Sequence, residues 1–139
     1  MQFHLAFPVH DLAAARSFYG ETLGLREGRS SDTWVDWDFH GHQIVTHLVG
    51  HRSQPAGQGQ VDGVPVPVPH FGLILTTEAF AQLAARLERA NVEFVIAPTV
   101  RYRGKRAEQA TMFLLDPSGN ALEFKAYTNP EEVFTPEPV

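Results

Sequence analysis

The segment His4-Leu-Ala-Phe-Pro-Val9 returns as His70-Phe-Gly-Leu-Ile-Leu75, 66 residues further on. This repeat constrains the fold more than any other feature, because each copy must then supply half of the architecture. Each copy leads into a helical stretch. Asp11 can cap the first, where Leu12, Ala15, Phe18, Tyr19 and Leu23 recur at helical spacing and Gly24 stops the run. Thr77 is the candidate cap of the second, with Phe80, Leu83, Ala84 and Leu87 as its apolar stripe and Asn91 as its terminator.

Both copies then run into strands. The first gives Thr33–Phe39, a turn at His40-Gly41, and Gln43–Val49. The second gives Phe94–Ala97, a loop, Ala110–Leu115, a turn at Asp116-Pro117-Ser118-Gly119, and Asn120–Tyr127. The expectation is an α+β chain of two βαβββ modules that form a curved mixed sheet around a central cavity, with the helices outside. The modules occupy residues 1–50 and 70–127, joined by a connector at 51–69 and followed by a tail at 128–139. The connector holds four prolines and three glycines in nineteen residues and reads as a surface loop. The proline-rich tail is expected to lie along the surface or fray.

Composition narrows the function classes. The 139 residues carry a net charge of −5, against a nucleic-acid surface. No apolar run reaches the roughly 18 residues that cross a bilayer. Met1-Gln2-Phe3-His4 lacks the layout of a signal peptide, so the expected location is the cytoplasm. The absence of cysteine excludes disulfides, iron–sulfur ligation and thiol catalysis. The partner class that remains is a small-molecule substrate, with neither nucleic acid nor membrane.

Strand parity assigns each side chain to a face. Leu5 and Phe7, Phe71 and Leu73, Ile44 and Thr46, and Leu122 and Phe124 form the layer that packs under the helices. The opposite layer carries His4, His47, His70 and Glu123 among small residues. Burying imidazoles and a carboxylate without partners costs on the order of 2–7 kcal/mol per polar group, and a divalent cation ligated by them removes that cost. Two histidines and one carboxylate suit Fe(II) or another first-row metal with open positions. Taken singly, each histidine also reads as a surface or hydrogen-bonded residue.

The chain resembles the vicinal-oxygen-chelate superfamily, which includes glyoxalase I, bleomycin-resistance proteins and extradiol dioxygenases. The carriers are His4 in HLAFPV, the stretch DLAAARSFYGETLGL, His70 in HFGLIL, and DPSGNALEF with Glu123. The resemblance implies paired βαβββ modules around a metal held by His4, His70 and Glu123. It looks nearest to small predicted extradiol-dioxygenase-like proteins. Fe(II) is the favoured metal, with Mn, Ni, Co and Zn open because these ligands accept them all.

Glyoxalase-type members use a further glutamate in the strand ending the first module. Aligning Gly41 with Gly119 sets Val45 opposite Glu123, and Gln43–Val49 contains no carboxylate. The resemblance therefore points to extradiol ring cleavage of a catechol-like or other vicinal-oxygen substrate. His47 suits the acid–base role; a fourth ligand and a non-functional histidine are its other readings. Tyr102 and Tyr127 are the tyrosines the second module offers near a substrate, and Tyr102 is taken as the catalytic one. No histidine follows His70, a departure from the extradiol pattern. His40 and His42 are expected to be exposed. Of Trp34 and Trp37, which fall on opposite faces, at most one lines the cavity. Arg101, Arg103, Lys105 and Arg106 put four of the eleven cations in one loop, either a solvated tip or an attractor for a carboxylate or phosphonate. Two alternatives remain: a metal-free ligand-sequestering protein of the bleomycin-resistance type, and a glyoxalase-like or fosfomycin-resistance-like lyase or transferase. A homodimer is expected, since such sheets leave edges that partners cover.

Overall fold

A computed structural model describes residues 1–50 and 57–136 of the chain. It divides into two compact units, Met1–Pro55 with Asp116–Asn120, and Ala56–Leu115 with Ala121–Val139.

In the first unit, β1 (His4–Val9) leads to α1 (Leu12–Ala15), which passes directly into a π-helical stretch, Arg16–Thr22. Asp11 caps α1, its carboxylate accepting from the Ala14 N–H at 2.9 Å. The expected regular helix thus widens after one turn, closing with Leu23 N–H on the Phe18 carbonyl at 2.9 Å. Seven residues of this form is long for so rare a winding. It sets the neighbours Phe18 and Tyr19 both inward, and Gly20 lies flat against Trp37, whose ring would stand 3.4 Å from an added Cβ.

Three strands follow: β2 (Arg26–Ser30), β3 (Trp34–Phe39) and β4 (His42–Leu48). The sheet order is β1-β4-β3-β2, with β1 and β4 parallel and the remaining pairs antiparallel. Tyr19 is the centre of the core, its ring 5.7, 4.9 and 5.9 Å from those of Phe7, Phe18 and Trp37. Trp37 Nε1 donates to Thr46 Oγ1 at 3.1 Å, which satisfies a buried indole. The Asp116–Asn120 turn closes this unit. Tyr19 Oη donates to Asp116 Oδ2 at 2.8 Å, and Asp116 Oδ1 accepts from the Ser118 and Asn120 N–H groups at 2.9 Å each.

The second unit opens with an antiparallel hairpin, β5 (Gly57–Val61) and β6 (Val64–Val68). The connector expected as a loop is therefore ordered structure over these residues; its positions 51–56 lie outside the described residues. Asp62 and Gly63 make the turn at φ of 49° and 71°, the pair of positive angles that a two-residue hairpin of this hand requires. Next come β7 (Phe71–Ile74), α2 (Thr77–Arg89), β8 (Phe94–Arg101), β9 (Gln109–Leu115) and β10 (Ala121–Tyr127). The order β7-β10-β9-β8 repeats that of the first unit, again with one parallel pair, β7 with β10.

The α+β class and the two βαβββ modules are thus as the sequence implied, each with its own four-stranded mixed sheet. The cap of α2 is Thr76, one residue before the expected Thr77, with Oγ1 accepting from Ala79 N–H at 3.1 Å. The strand expected at Phe94–Ala97 runs on to Arg101, which draws the first cation of the basic loop into the sheet. Residues Pro130–Phe134 form a short 3₁₀ turn capped by the Asn129 side chain, and positions 137–139 lie outside the described residues. Among the described residues no helix is long and apolar enough to cross a membrane.

Candidate active site

In the second unit, strand alternation turns Leu122, Phe124 and Ala126 inward and leaves Glu123, Lys125 and Tyr127 on the other face. Parallel pairing sets Glu123 beside Gly72, and His70 stands just ahead of β7. His70 Nε2 comes to 3.1 Å from Glu123 Oε2. Glu123 Oε1 accepts from Thr111 Oγ1 at 2.8 Å, and Lys125 Nζ lies 3.9 Å from Oε2. The His70 ring stands edge-on to Phe113, with centroids 5.0 Å apart.

Proton placement shows what this pair can do. His70 Nδ1 lies 2.6 Å from the Pro67 carbonyl, which can only accept, so Nδ1 carries a hydrogen. In the neutral ring Nε2 is then a lone pair aimed at a carboxylate oxygen. Two acceptors face one another at 3.1 Å, and either a second proton or a cation must sit between them. The Nδ1–H to carbonyl bond is the outer support that metal-ligating histidines ordinarily have. His70 and Glu123 could together supply two of the ligands that a divalent cation takes.

His70 and Glu123 open onto a cavity of about 340 Å³ whose wall also includes Arg101, Tyr102, Lys125 and Tyr127. Tyr102 follows β8 with φ of 53°, in the left-handed region that bulky residues avoid, and its N–H donates to Asp62 Oδ2 at 3.3 Å. Strain of this kind gathers at functional sites. The expected catalytic tyrosine thus lines the same cavity as two expected ligands.

In the first unit, His4 Nδ1 and Gln43 Oε1 meet at 2.6 Å across the β1–β4 pair, which places the proton on Nδ1 and leaves Nε2 free to act as a ligand. His4 lines a different cavity, of about 500 Å³, with Gln43, His42 and Trp37. His47 shares the face of His4 and is exposed, opposite Pro8 in the register. That is four residues, or about 13 Å, along β4 from the level of His4. His40 is exposed, while His42 is half-buried and accepts the Phe3 N–H at Nδ1, 3.0 Å. Trp37 packs in the core and Trp34 lies on the other face under Arg29, 5.7 Å from its ring. Among the described residues, neither unit by itself brings three His, Asp or Glu side chains together around one point.

The register also tests the repeat. His4 precedes Ala6, which pairs with Val45, and His70 precedes Gly72, which pairs with Glu123. Val45 thus occupies the first-module counterpart of Glu123, and no carboxylate stands there. Sequence reasoning missed Thr111 and the individual importance of Arg101. With the Asp116–Gly119 turn fixing Leu115 opposite Ala121, counting back along β9 and β10 sets Thr111 opposite Lys125 and diagonal to Glu123.

A family model described as the glyoxalase/bleomycin resistance protein/dioxygenase superfamily matches residues 2–124. Comparison with curated proteins gives no match. Among solved structures, a glyoxalase/bleomycin resistance protein/dioxygenase from Alicyclobacillus acidocaldarius is 30% identical, with 96% of each chain covered and a TM-score of 0.83. The fosfomycin resistance protein FosX from Listeria monocytogenes is 16% identical over 95% of this chain and 96% of its own, TM-score 0.70. A glyoxalase/dioxygenase from Nostoc punctiforme is also 16% identical, over 93% and 92%, TM-score 0.69. The last two are similar in fold alone.

Proposed function

The chain belongs to the glyoxalase/bleomycin resistance protein/dioxygenase superfamily, and we propose that it is a metal-dependent enzyme of the extradiol ring-cleavage type, acting on a small catechol-like substrate. The observation that carries this reading is the His70–Glu123 pair, Nε2 and Oε2 held 3.1 Å apart on a cavity wall with their outer hydrogen bonds in place. His70, Glu123 and His4 are the ligands of the proposal. His4 enters it through the resemblance and through its own Nδ1–H support from Gln43. Bound there, Fe(II) or Mn(II) would supply Lewis acidity and a path for charge between an aromatic diol and dioxygen.

Three protein ligands, with Val45 in place of a fourth carboxylate, suit a substrate that brings two oxygens of its own. Both atoms of dioxygen enter the cleaved ring, so the reaction needs no further reductant. The protein's share is positional. Thr111 fixes the orientation of Glu123, Pro67 fixes the tautomer of His70, and Phe113 fixes the plane of its ring. Tyr102, on the cavity wall with His70 and Glu123, is a candidate for holding a substrate hydroxyl proton. The earlier role of His47 would require a substrate reaching well along β4.

Protein reconstituted anaerobically with Fe(II) should consume oxygen with at least one member of a catechol panel, in step with a coloured ring-fission product. Protein that holds iron yet turns over no catechol would refute the dioxygenase reading. Retention of metal by both His70→Ala and Glu123→Gln would refute the ligand assignment. A homodimer belongs to the same proposal and is read by sedimentation.

A further inference from the structure

Arg101 is 4% exposed, at the end of β8 on the wall of the same cavity. Its Nη1 donates to the Val61 carbonyl at 2.7 Å, while Nε and Nη2 are buried without a hydrogen-bond partner. A guanidinium is always charged and offers five donors in a rigid fork. Burying one with part of that fork unused is costly, and the cost falls when a carboxylate or phosphonate takes both donors at once.

Nearby acids are already engaged. Glu123 is held by Thr111 and His70, and Glu132 accepts the Ala107 N–H at 2.5 Å and Asn129 Nδ2 at 3.4 Å. Among the described residues no ion pair joins either of them to Arg101. Lys125 on the same wall adds a second positive charge. The remaining wall is mixed, with Val61 and Val66 from the hairpin, and about 340 Å³ is at the small end of ligand sites.

We infer that Arg101 is a substrate-binding residue, and that the cavity takes a small molecule with an oxyanionic group at the Arg101 end and its reacting oxygens at the His70–Glu123 end. On the reading above, which this inference deepens, the substrate is an acid-bearing aromatic diol rather than a plain catechol. Nε and Nη2 form the fork that receives the anion. Arg101 Nη1 keeps its bond to Val61, so the hairpin and the ligand share one side chain.

The test uses chelator-treated protein, so that it stands apart from metal chemistry. Calorimetric titration compares 3,4-dihydroxybenzoate with 3,4-dihydroxybenzamide, and phenylphosphonate with benzyl alcohol. The expected result is tighter binding of an acid than of its neutral partner by about tenfold or more, with the better acid identifying carboxylate or phosphonate as the group preferred. The Arg101 Nε–H resonance, assigned by its loss in Arg101→Lys, should shift on adding that acid. Arg101→Met should reduce the preference to about one. If that variant does not fold, the acid-to-neutral ratio and the resonance shift in the native protein still decide. Equal binding of acid and neutral partner, no binding by any of the four, or an unmoved Arg101 resonance while the acid binds would each overturn the inference. Metal affinity is measured separately with Mn(II). Anion preference without metal binding would sink the ring-cleavage reading and leave Arg101 standing, and the converse would do the reverse.

Discussion

Replacing Tyr19 by Phe removes one oxygen from the interior of the first unit. That oxygen donates to Asp116 Oδ2 at 2.8 Å, with Tyr19 fully buried and Asp116 4% exposed. Asp116 keeps three other bonds, from the Ser118 and Asn120 N–H groups and from Asn120 Nδ2, so the carboxylate is weakened in its support and not abandoned. A hydrogen bond to a charged group contributes about 1.5–3 kcal/mol, so the expected loss at pH 7 is about 2 kcal/mol. At a urea m-value near 2 kcal/mol/M this moves the midpoint by about 1 M.

The same contact makes a pH-dependent prediction. Burial first, then the Asp116 charge and the hydrogen bond to it, raise the Tyr19 pKa well above the ordinary value. A pKa raised on folding leaves stability intact below the unfolded value, near 10, and lowers it as pH climbs from there toward the folded value. The loss is about 1.4 kcal/mol per pH unit, because the unfolded chain ionises first. Phenylalanine has no such proton, so the wild-type advantage of about 2 kcal/mol at pH 7 should shrink to under about 1 kcal/mol at pH 11. Every other ionisable group is common to both proteins and cancels in the difference. Urea unfolding of both proteins at pH 7, 10 and 11 measures this double difference. An advantage that stays constant or grows with pH would refute the reasoning.

Thr111→Val deletes the hydroxyl bonded to Glu123 Oε1 at nearly constant volume, and metal affinity measured against a competing chelator should fall about 10- to 100-fold with the fold intact. Thr46→Val leaves the buried Trp37 Nε1 without an acceptor and should cost about 1–3 kcal/mol in urea unfolding. Gly72→Ala would place a Cβ 1.5 Å from the Glu123 carbonyl oxygen, so the β7–β10 pair must part; destabilisation of about 3 kcal/mol or more, or failure to fold, is the expected outcome.

Strand parity, read from the chain, separates faces but carries no information about height along a strand. It placed His4, Ala6, Val45 and His47 on one face of the first sheet, and they are there. Only the parallel register of β1 with β4 shows that His47 stands beside Pro8, four residues from the level of His4, and nothing local in either strand sets that register. Glu123 escaped this difficulty because a tight turn at Asp116–Gly119 pins β10 against β9 a few residues away. β2 was illegible for a different reason. Arg26–Ser30 is exposed throughout and has no apolar alternation, so its place at the sheet edge rests on antiparallel backbone pairing with β3, with ion pairs from the exposed Arg26 and Arg29 to Asp38 and Asp36 at 3.0 and 3.3 Å adding little.

The hairpin at Gly57–Val68 shows how a real signal can be outvoted. Asp62-Gly63 is the strongest short hairpin signature in the chain, but Pro65, Pro67 and Pro69 argue against a strand. Their spacing resolves the conflict. Prolines at every second residue all lose the N–H that points to the same side, and in a two-stranded ribbon one side of each strand has no ladder partner. Pro65 and Pro67 pair in register with Gln60 and Gln58 while β6 keeps its inner bonds. That ribbon brings the Val61 carbonyl within 2.7 Å of Arg101 and so buries the guanidinium. The residue most informative about substrate therefore depends on the segment whose composition looked least structured.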